Sequence, residues 1–242
     1  MKKIIFDNLK TLIYALIIAL IIRSLFFQPF YIPSSSMEPN LLIGDRIFVS
    51  KYAYGYSKHS LPFSPAIFDS RIFSKTPERG DVIVFKTPAD NRTDYIKRLI
   101  GIPGDKIQII DANLYINEKK VEKKILYKNS KVYCGDNLMN VDFYEETLPD
   151  GKKYEVVYRK NGTMINTDLF TVPENHYFFM GDNRDCSKDS RYLSSVGYVK
   201  FDNLVGKANI IFFSNNAKIG SIFKIWKWHE SIRFNRTFNK IK

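Results

Sequence analysis

The 242-residue chain is poor in the two side chains from which small metal-binding and disulfide-rich domains are built. Its two cysteines, Cys134 and Cys186, exclude a disulfide-dense scaffold and a cysteine-rich zinc module. It has three histidines, His59, His176 and His229, and no HExxH motif, so a histidine metal site would need all three. The sequence therefore predicts no metal and no cofactor.

Glycine and proline are also scarce, at 12 and 10 residues without a repeat, which excludes a fibrous or low-complexity chain. Hydrophobic residues make up 45% of the sequence, enough for a buried core, so wholesale disorder is excluded. An excess of 37 Lys and Arg over 25 Asp and Glu gives a net charge of +12. This charge favours an anionic neighbour, either nucleic acid or a membrane surface.

One long apolar segment, residues 11–27, decides between these neighbours in favour of membrane lipid over nucleic acid. It is interrupted only by Arg23, and it is about long enough to cross a bilayer if Arg23 extends to the lipid surface. Lysines precede it, so residues 1–10 are predicted to be cytoplasmic and residues 28–242 extracytoplasmic. A cleaved signal sequence would need small residues after the apolar run, where bulky ones stand. A buried core helix is the remaining alternative.

From residue 28 onwards, short segments rich in Ile, Val and Tyr alternate with Gly, Pro and Asp turns. We predict a mostly β fold: an antiparallel β domain with an inserted β-rich sub-domain at about 119–171 and a loop insertion at 54–77. Asn161-Gly162 favours a hairpin between residues 155–158 and 164–165. The predicted strands are residues 46–50, 81–85, 95–100, 106–110, 113–116, 155–158, 176–180 and 208–213.

The C-terminal tail, residues 218–242, carries seven basic residues against one acidic residue, Glu230, with aromatic residues interleaved. One interpretation is an interfacial helix on anionic lipid. The other is a terminal element that packs its aromatic side chains on the core and leaves its charges solvated.

Two segments carry possible chemistry, and each is ambiguous alone. Residues 32–39 read Ile-Pro-Ser-Ser-Ser-Met-Glu-Pro, either a Ser/Pro linker or serines displayed on a stiff backbone beside the bilayer. In residues 94–100, strand alternation would place Tyr95, Lys97 and Leu99 on one face. Lys97 either extends into water or is desolvated, in which case its pKa falls and the neutral amine can act as a general base.

Other nucleophile systems are poorly supported. There is no GxSxG motif, and His176, which a Ser-His-Asp triad could recruit, stands in an apolar run typical of a structural histidine. Cys186 as a thiol nucleophile lacks a histidine nearby in the sequence. A third polar segment, residues 181–191, is expected to form a bonded loop in which Asp189 pairs with Arg191 and Ser187 holds a lysine amine. Its spacing does not fit a calcium loop.

Together these segments resemble type I signal peptidases, membrane-bound Ser-Lys endopeptidases that remove signal peptides from exported proteins. Four motifs occur in the family's order after an N-terminal anchor, which makes the match specific. They are residues 34–45, 79–85, 94–105 and 181–191.

The resemblance implies that Ser36 is the nucleophile and Lys97 the general base. The Ser34 hydroxyl and the Ser36 N–H would form the oxyanion hole. Ser187 would orient the Lys97 amine, with Asp189 and Arg191 bracing the loop. The residues that match the pockets for small P1 and P3 side chains are Phe30, Ile32, Met37, Leu41, Tyr95 and Ile96.

The same resemblance implies that preprotein signal peptides are cleaved after small-x-small (Ala-x-Ala) motifs through an acyl-enzyme. It places a single-pass protein in the inner (cytoplasmic) membrane with a periplasmic catalytic domain.

The chain departs from the family pattern at three places. Asn40 replaces a Thr, Cys186 replaces an Asn, and residues 192–197 differ from the common Tyr-Trp-Gly. None removes a catalytic atom. A disulfide between Cys134 and Cys186 is an alternative in an oxidising compartment, but nothing in the sequence brings the two together, so we expect both to be free thiols.

Two other functions remain open. A self-cleaving Ser-Lys protease of the SOS-repressor kind would carry a DNA-binding helix pair where this chain has an apolar segment. A membrane-tethered β domain could bind envelope partners without chemistry.

Overall fold

An N-terminal helix, α1 (Lys2–Ile21), precedes the β domain in the computed structural model, which describes residues 2–62, 64–65, 70–159, 162, 164–216, 219–220 and 224–241. It continues as a π-helical turn over Ile22–Phe26. The stretch Lys3–Phe26 is long and apolar enough to cross a membrane. The helix thus begins well before the predicted segment at 11–27, and Phe27, at the end of that segment, belongs to the first strand.

The rest of the described chain is mostly β, as predicted. Its strands are β1 (Phe27–Tyr31), β2 (Asp45–Ser50), β3 (Val82–Lys86), β4 (Asp94–Gly101), β5 (Lys106–Ile110), β6 (Asn113–Ile116), β7 (Lys119–Lys120), β8 (Glu122–Cys134), β9 (Asn137–Thr147), β10 (Lys153–Arg159), β11 (Phe170–Thr171), β12 (His176–Met180), β13 (Val199–Lys200), β14 (Leu204–Ser214) and β15 (Asn239–Lys240).

The largest sheet has the order β1-β2-β14-β3-β4-β12-β13, with β15 pairing to β14. All its pairs are antiparallel, and Lys97 of β4 lies opposite Ile83 of β3. Both faces of β3 are buried, because Val82 and Val84 pack in one apolar cluster and Ile83 and Phe85 in another. The residues around Lys97 are therefore held between neighbouring strands with apolar side chains on each face.

Two smaller sheets carry the predicted insertion. One has the order β10-β9-β8 and the other β11-β5-β6-β7. The second sheet is built around β5 and β6, which precede residue 119, so the prediction of about 119–171 leaves out its two central strands. The reason is that β7 and β11, from the two ends of that range, pair with β6 and β5.

The predicted hairpin at Asn161-Gly162 is not supported. Asn161 lies outside the described residues, and Met164 and Ile165 are not in a strand. Strand β10 pairs instead with β9, which precedes it in the chain. The turn at residues 148–152, closed by the Gly151 N–H on the Leu148 carbonyl, makes this local pairing possible.

In the predicted loop insertion at 54–77, residues 63 and 66–69 lie outside the described residues. The rest has one bridge, between Tyr56 and Ile72. The buried Arg71 guanidinium donates to the carbonyl oxygens of Gly55 and Phe201, which ties the loop to the domain.

Neither interpretation of the tail holds in full. The helical part of its described residues is short, with α2 covering only Trp228–Ser231, so the predicted interfacial helix is not present there. The backbone is fastened to the domain through β15 and through Arg236, which donates to Asp45 at 2.6 Å. However, Phe234 and Phe238 are 69% and 76% exposed rather than packed on the core.

Candidate active site

The serine-rich segment after β1 is a compact turn rather than an open linker. Its backbone is closed by the Glu38 N–H on the Ser35 carbonyl and by the Leu41 N–H on the Met37 carbonyl. Met37 and Leu41 are fully buried and pin the segment to the core. Ser36 is 7% exposed, and its carbonyl accepts a hydrogen bond from the Asn183 N–H at 3.1 Å.

Lys97 lies beside this turn. Its side chain is buried, and Nζ donates to Ser36 Oγ at 2.6 Å and to the Ile96 carbonyl at 2.9 Å. Nζ also lies 5.5 Å from the centre of the Tyr95 ring. The alternative in which Lys97 extends into water is therefore wrong. Lys97 lies on the same face of β4 as Tyr95 and Leu99, as strand alternation predicted.

Burial lowers the pKa of Lys97 from its ordinary value to about 8, because the interior disfavours the charged ammonium. The carboxylates of Asp189 and Asp182 oppose this shift, and Arg191 adds to it. A substantial share of the amine is consequently neutral near pH 8 and able to accept a proton.

Ser34 is exposed on the same turn. Its Oγ is 3.3 Å from Ser36 Oγ, and either hydroxyl can donate across this distance. A donor at this place is positioned beside the atom that would attack a carbonyl, as an oxyanion-hole hydroxyl must be.

The loop over residues 181–191 is braced as predicted. Arg191 donates through Nε and Nη2 to the two carboxylate oxygens of Asp189, each at 2.8 Å. Asp189 also accepts the Gly181 N–H at 2.9 Å. The Arg191 guanidinium further donates to the carbonyl of Arg184, so both ends of the loop are joined.

Ser187 does not hold the Lys97 amine in this structure. Within the described residues, Nζ is bonded to Ser36 and Ile96, and Ser187 lies against Gly181 instead. A Cβ at Gly181 would overlap both Ser187 Oγ and the Ser36 carbonyl oxygen. Gly181 is thus required for the close approach of the loop to the turn that carries Ser36.

Two buried ion pairs behind the site were not found from the sequence. Arg98, next to Lys97 in β4, donates through Nε and Nη2 to Asp182, both at 2.7 Å. Arg184 makes the same kind of contact with Glu146, at 2.9 and 2.6 Å. Asp182 and Arg184 lie in a motif that the sequence singled out, but their partners are 84 and 38 residues away.

Cys134 and Cys186 form a disulfide, with their Cα atoms 5.6 Å apart, so the expectation of free thiols was wrong. The β8–β9 hairpin folds back over the loop and brings Cys134, 52 residues earlier, to Cys186. This pairing depends on the hairpin's position, which sequence patterns did not give. It also excludes Cys186 as a thiol nucleophile.

The histidines are engaged elsewhere. Nδ1 of His176 contacts the Glu174 carbonyl at 2.8 Å, which agrees with a structural role. His59 contacts Ser64, and His229 lies 3.4 Å from Glu230. Among the described residues, no group of three His, Cys, Asp or Glu side chains is arranged to hold a metal ion.

The six expected pocket residues fall on two faces. Ile32, Met37 and Leu41 are buried in one cluster, with Phe30 and Ile96 packed against it. Tyr95 instead packs against the cluster of Phe85 and Leu99 on the opposite face, since adjacent strand residues point to opposite sides.

With this geometry in place, comparison with known proteins gives a consistent result. The family model described as signal peptidase, peptidase S26, matches residues 5–213. The chain belongs to this family. It is a serine endopeptidase of the signal peptidase type, and the family is associated with membranes.

Curated relatives agree over nearly the full length. The chain is 44% identical to a signal peptidase I of Rickettsia bellii, over 96% of this chain and 84% of that protein. It is 41% identical to a signal peptidase I of Rickettsia typhi, over 99% of this chain and 95% of that protein. A crystal structure of a signal peptidase I from Enterococcus faecalis matches 55% of this chain and 97% of that one, at 29% identity and a TM-score of 0.32.

Proposed function

We propose that this peptidase cleaves preproteins with a Ser-Lys dyad, in which Ser36 is the nucleophile and Lys97 the general base. The observation that carries the proposal is the 2.6 Å hydrogen bond from Nζ of the buried Lys97 to Ser36 Oγ. A nucleophile and its base within hydrogen-bond distance, with the base pKa lowered toward neutrality, is the arrangement that this chemistry requires.

The reaction would begin with neutral Lys97. Its amine takes the Ser36 proton as Oγ attacks the P1 carbonyl carbon, and the negative oxygen is held by the Ser34 hydroxyl and the Ser36 N–H. The lysine proton then passes to the leaving amine as the peptide bond breaks, leaving an acyl-enzyme. Water attacks the ester and gives a proton to Lys97. As the ester bond breaks, Lys97 returns this proton to Ser36 Oγ, and the cleaved leader departs with a new carboxyl terminus.

Specificity for small residues at P1 and P3 rests on the apolar residues beside Ser36. Met37 and Leu41 are fully buried and cannot move aside without disturbing the core, so they limit the depth available to a substrate side chain. Shallow apolar pockets reject larger residues, which favours an Ala-x-Ala substrate.

We also propose that the Lys3–Phe26 stretch is an uncleaved single-pass anchor in the inner membrane, with the N-terminus cytoplasmic. The disulfide supports an extracytoplasmic β domain, because such bonds persist in oxidising compartments. Exposed Trp226, Phe234 and Phe238 on a basic tail favour lipid, and not nucleic acid, as the neighbouring surface.

Incubation of the detergent-solubilised full chain with a preprotein tests the dyad. Wild type should release the leader after a small-x-small site, whereas Ser36→Ala and Lys97→Ala should be inactive. A serine-directed acylating probe should label wild type but not Ser36→Ala. Full cleavage by a folded Lys97→Ala variant would refute the base assignment, and absence of both cleavage and labelling in wild type would favour a binding role.

A further inference from the structure

A cavity of about 530 Å³ lies where the N-terminal helix meets the β domain. Arg23 of the π-helical turn and Gln28 of β1 line one side, and residues 58–62 and 64 line another. The turn between β3 and β4 closes a third side. Neither Ser36 nor Lys97 lines it, so it is separate from the candidate active site.

One wall of the cavity is held in place by buried polar contacts. Lys51 is 2% exposed, and Nζ donates to the carbonyl oxygens of His59 and Ser60, each at 3.1 Å. The Ser57 side chain accepts the His59 N–H and caps the short helix Lys58–Ser60. The backbone of this wall is thus fixed without using the Lys58 ammonium.

The cavity carries an excess of positive charge. Of its two acidic side chains, Asp94 pairs with Lys86 at 2.8 Å, and Asp90 accepts hydrogen bonds from the backbone N–H of Arg92 at 2.9 Å. In the described part of the chain, the charged groups of Arg23, Lys58 and Arg92 form no ion pair.

The positive charges around the cavity also act on two buried neighbours, although burial is the main cause of each pKa shift. Burial lowers the pKa of His59 to about 4, and the charges of Lys58, Lys86 and Arg71 push it in the same direction. Burial lowers the pKa of Lys51 to about 8; the Asp94 carboxylate opposes this shift, and the charge of Arg23 adds to it. An anion in the cavity would relieve this repulsion.

His59 also offers an unused hydrogen-bonding atom. Its Nδ1 contacts Ser64 Oγ at 3.0 Å, whereas the buried Nε2 has no partner among the described residues. If Nδ1 accepts from the serine hydroxyl, Nε2 carries the proton and can donate to an oxygen placed in the cavity. Buried polar atoms without a partner are rare in folded proteins, which makes this atom a candidate ligand contact.

The position of Arg23 bears on which class of anion would fit the cavity. Arg23 stands close to the end of the apolar stretch Lys3–Phe26 on the side of the β domain. In an anchored protein this is the level of the lipid headgroups, where arginine contacts phosphate. We propose that the cavity binds the phosphodiester of an anionic glycerophospholipid, with Arg23 and Lys58 pairing with the phosphate oxygens. The proposal rests on the membrane anchorage proposed above.

Binding is measured on the full chain in detergent with dioctanoyl phosphatidylglycerol as the probe, by microscale thermophoresis or native mass spectrometry. Wild type should bind saturably, and the double variant Arg23→Gln/Lys58→Gln should bind about tenfold or more weakly. The matched control is Lys128→Gln, which removes an exposed charge on β8 and should bind as wild type does. Zwitterionic dioctanoyl phosphatidylcholine should bind more weakly than phosphatidylglycerol.

Three results would overturn the site: wild-type affinity in the double variant, an equal loss in Lys128→Gln, or inorganic phosphate binding as tightly as the lipid. The last would assign the cavity to free phosphate. Co-flotation with neutral phosphatidylcholine vesicles reports on the anchor separately. Wild type and the double variant should float equally well. A protein that binds the probe but does not float would contradict the membrane anchor and would leave the lipid site supported.

Discussion

The side-chain amide of Asn40 donates a hydrogen bond of 2.8 Å to Asp182 Oδ2, the carboxylate oxygen that also accepts Arg98 Nη2. Its amide nitrogen contacts the Glu155 carbonyl as well, at 2.7 Å. Asn40 is one of the departures from the family pattern, and the structure gives it a role. It links the turn that carries Ser36 to the 181–191 loop and to β10.

Replacing Asn40 tests this link. Asn40→Ala should lower the free energy of unfolding by about 2–3 kcal/mol, because it removes two hydrogen bonds, one of them to a carboxylate. Near neutral pH, Asn40→Asp should have a lower free energy of unfolding than Asn40→Ala, because it places a second carboxylate against Asp182. Like-charge repulsion would raise the folded-state pKa of the new carboxyl above its unfolded value. The penalty should therefore shrink as the pH falls through that pKa.

Thermal unfolding of both variants between pH 4 and 8 measures the effect. Equal stability of the alanine and aspartate variants across this range would contradict the proposed contact with Asp182.

The pH dependence of cleavage should follow Lys97. Its pKa is lowered to about 8, and the base must be neutral, so kcat/KM should rise with pH and level off above about pH 8. Below the midpoint the rate should fall by about tenfold per pH unit.

Glu38 supplies the control, because burial raises its pKa to about 7 and it lies two residues from Ser36. Glu38→Gln should keep the midpoint near 8. A profile that moves or flattens in Glu38→Gln would assign the titration to Glu38 rather than Lys97.

Ser34→Ala should reduce kcat by about 10²-fold and leave KM nearly unchanged, because an oxyanion-hole donor acts mainly in the transition state. The matched control is Ser35→Ala. Ser35 is buried beside the disulfide, with Oγ 3.7 Å from Cys186 Sγ. Among the described residues, its hydroxyl is not bonded to Ser36 Oγ, so it has no part in the proposed reaction. Steady-state kinetics on a peptide substrate compare the two. An equal loss in both variants would indicate general damage to the turn.

Reduction of the Cys134–Cys186 disulfide should destabilise the β domain. A bond that closes 52 residues contributes about 4 kcal/mol by loop-closure entropy, if the reduced chain is otherwise unfolded. Cleavage should also fall, because Cys186 lies in the 181–191 loop, in which the Asn183 N–H donates to the Ser36 carbonyl.

Denaturant titrations of wild type with and without reductant measure the change. The double variant Cys134→Ala/Cys186→Ala should resemble reduced wild type and should not respond to reductant. If reductant changes the double variant as much as wild type, the effect does not come from this disulfide.

Glu146→Gln should cost about 3–5 kcal/mol of stability, because it leaves the buried Arg184 guanidinium without a counter-charge. The neighbouring residue gives the control. Glu145 pairs with Lys153 at 3.3 Å in a partly exposed position, so Glu145→Gln should change stability by less than about 1 kcal/mol. Thermal unfolding of both variants decides this, and a Glu146→Gln variant as stable as Glu145→Gln would show that the ion pair contributes little.

The sequence by itself determined the features that depend on neighbouring residues. The apolar segment before Phe27 marks the helix by its composition. Alternation along β4 placed Lys97 on the buried face with Tyr95 and Leu99, because successive strand residues point to opposite sides. The juxtaposition of Ser36 with Lys97 came from the resemblance to a family, and the 2.6 Å contact agrees with it.

Only the tertiary structure decided the pairings between distant segments. Cys134 with Cys186, Arg98 with Asp182 and Arg184 with Glu146 each join strands or loops that topology alone brings together. Composition cannot identify such partners, because a buried arginine can pair with any carboxylate that lies near it in the folded structure. The tail shows the same limit: its sequence fits either lipid or core, and pairing of β15 with β14 fixed its backbone while leaving its aromatic side chains exposed.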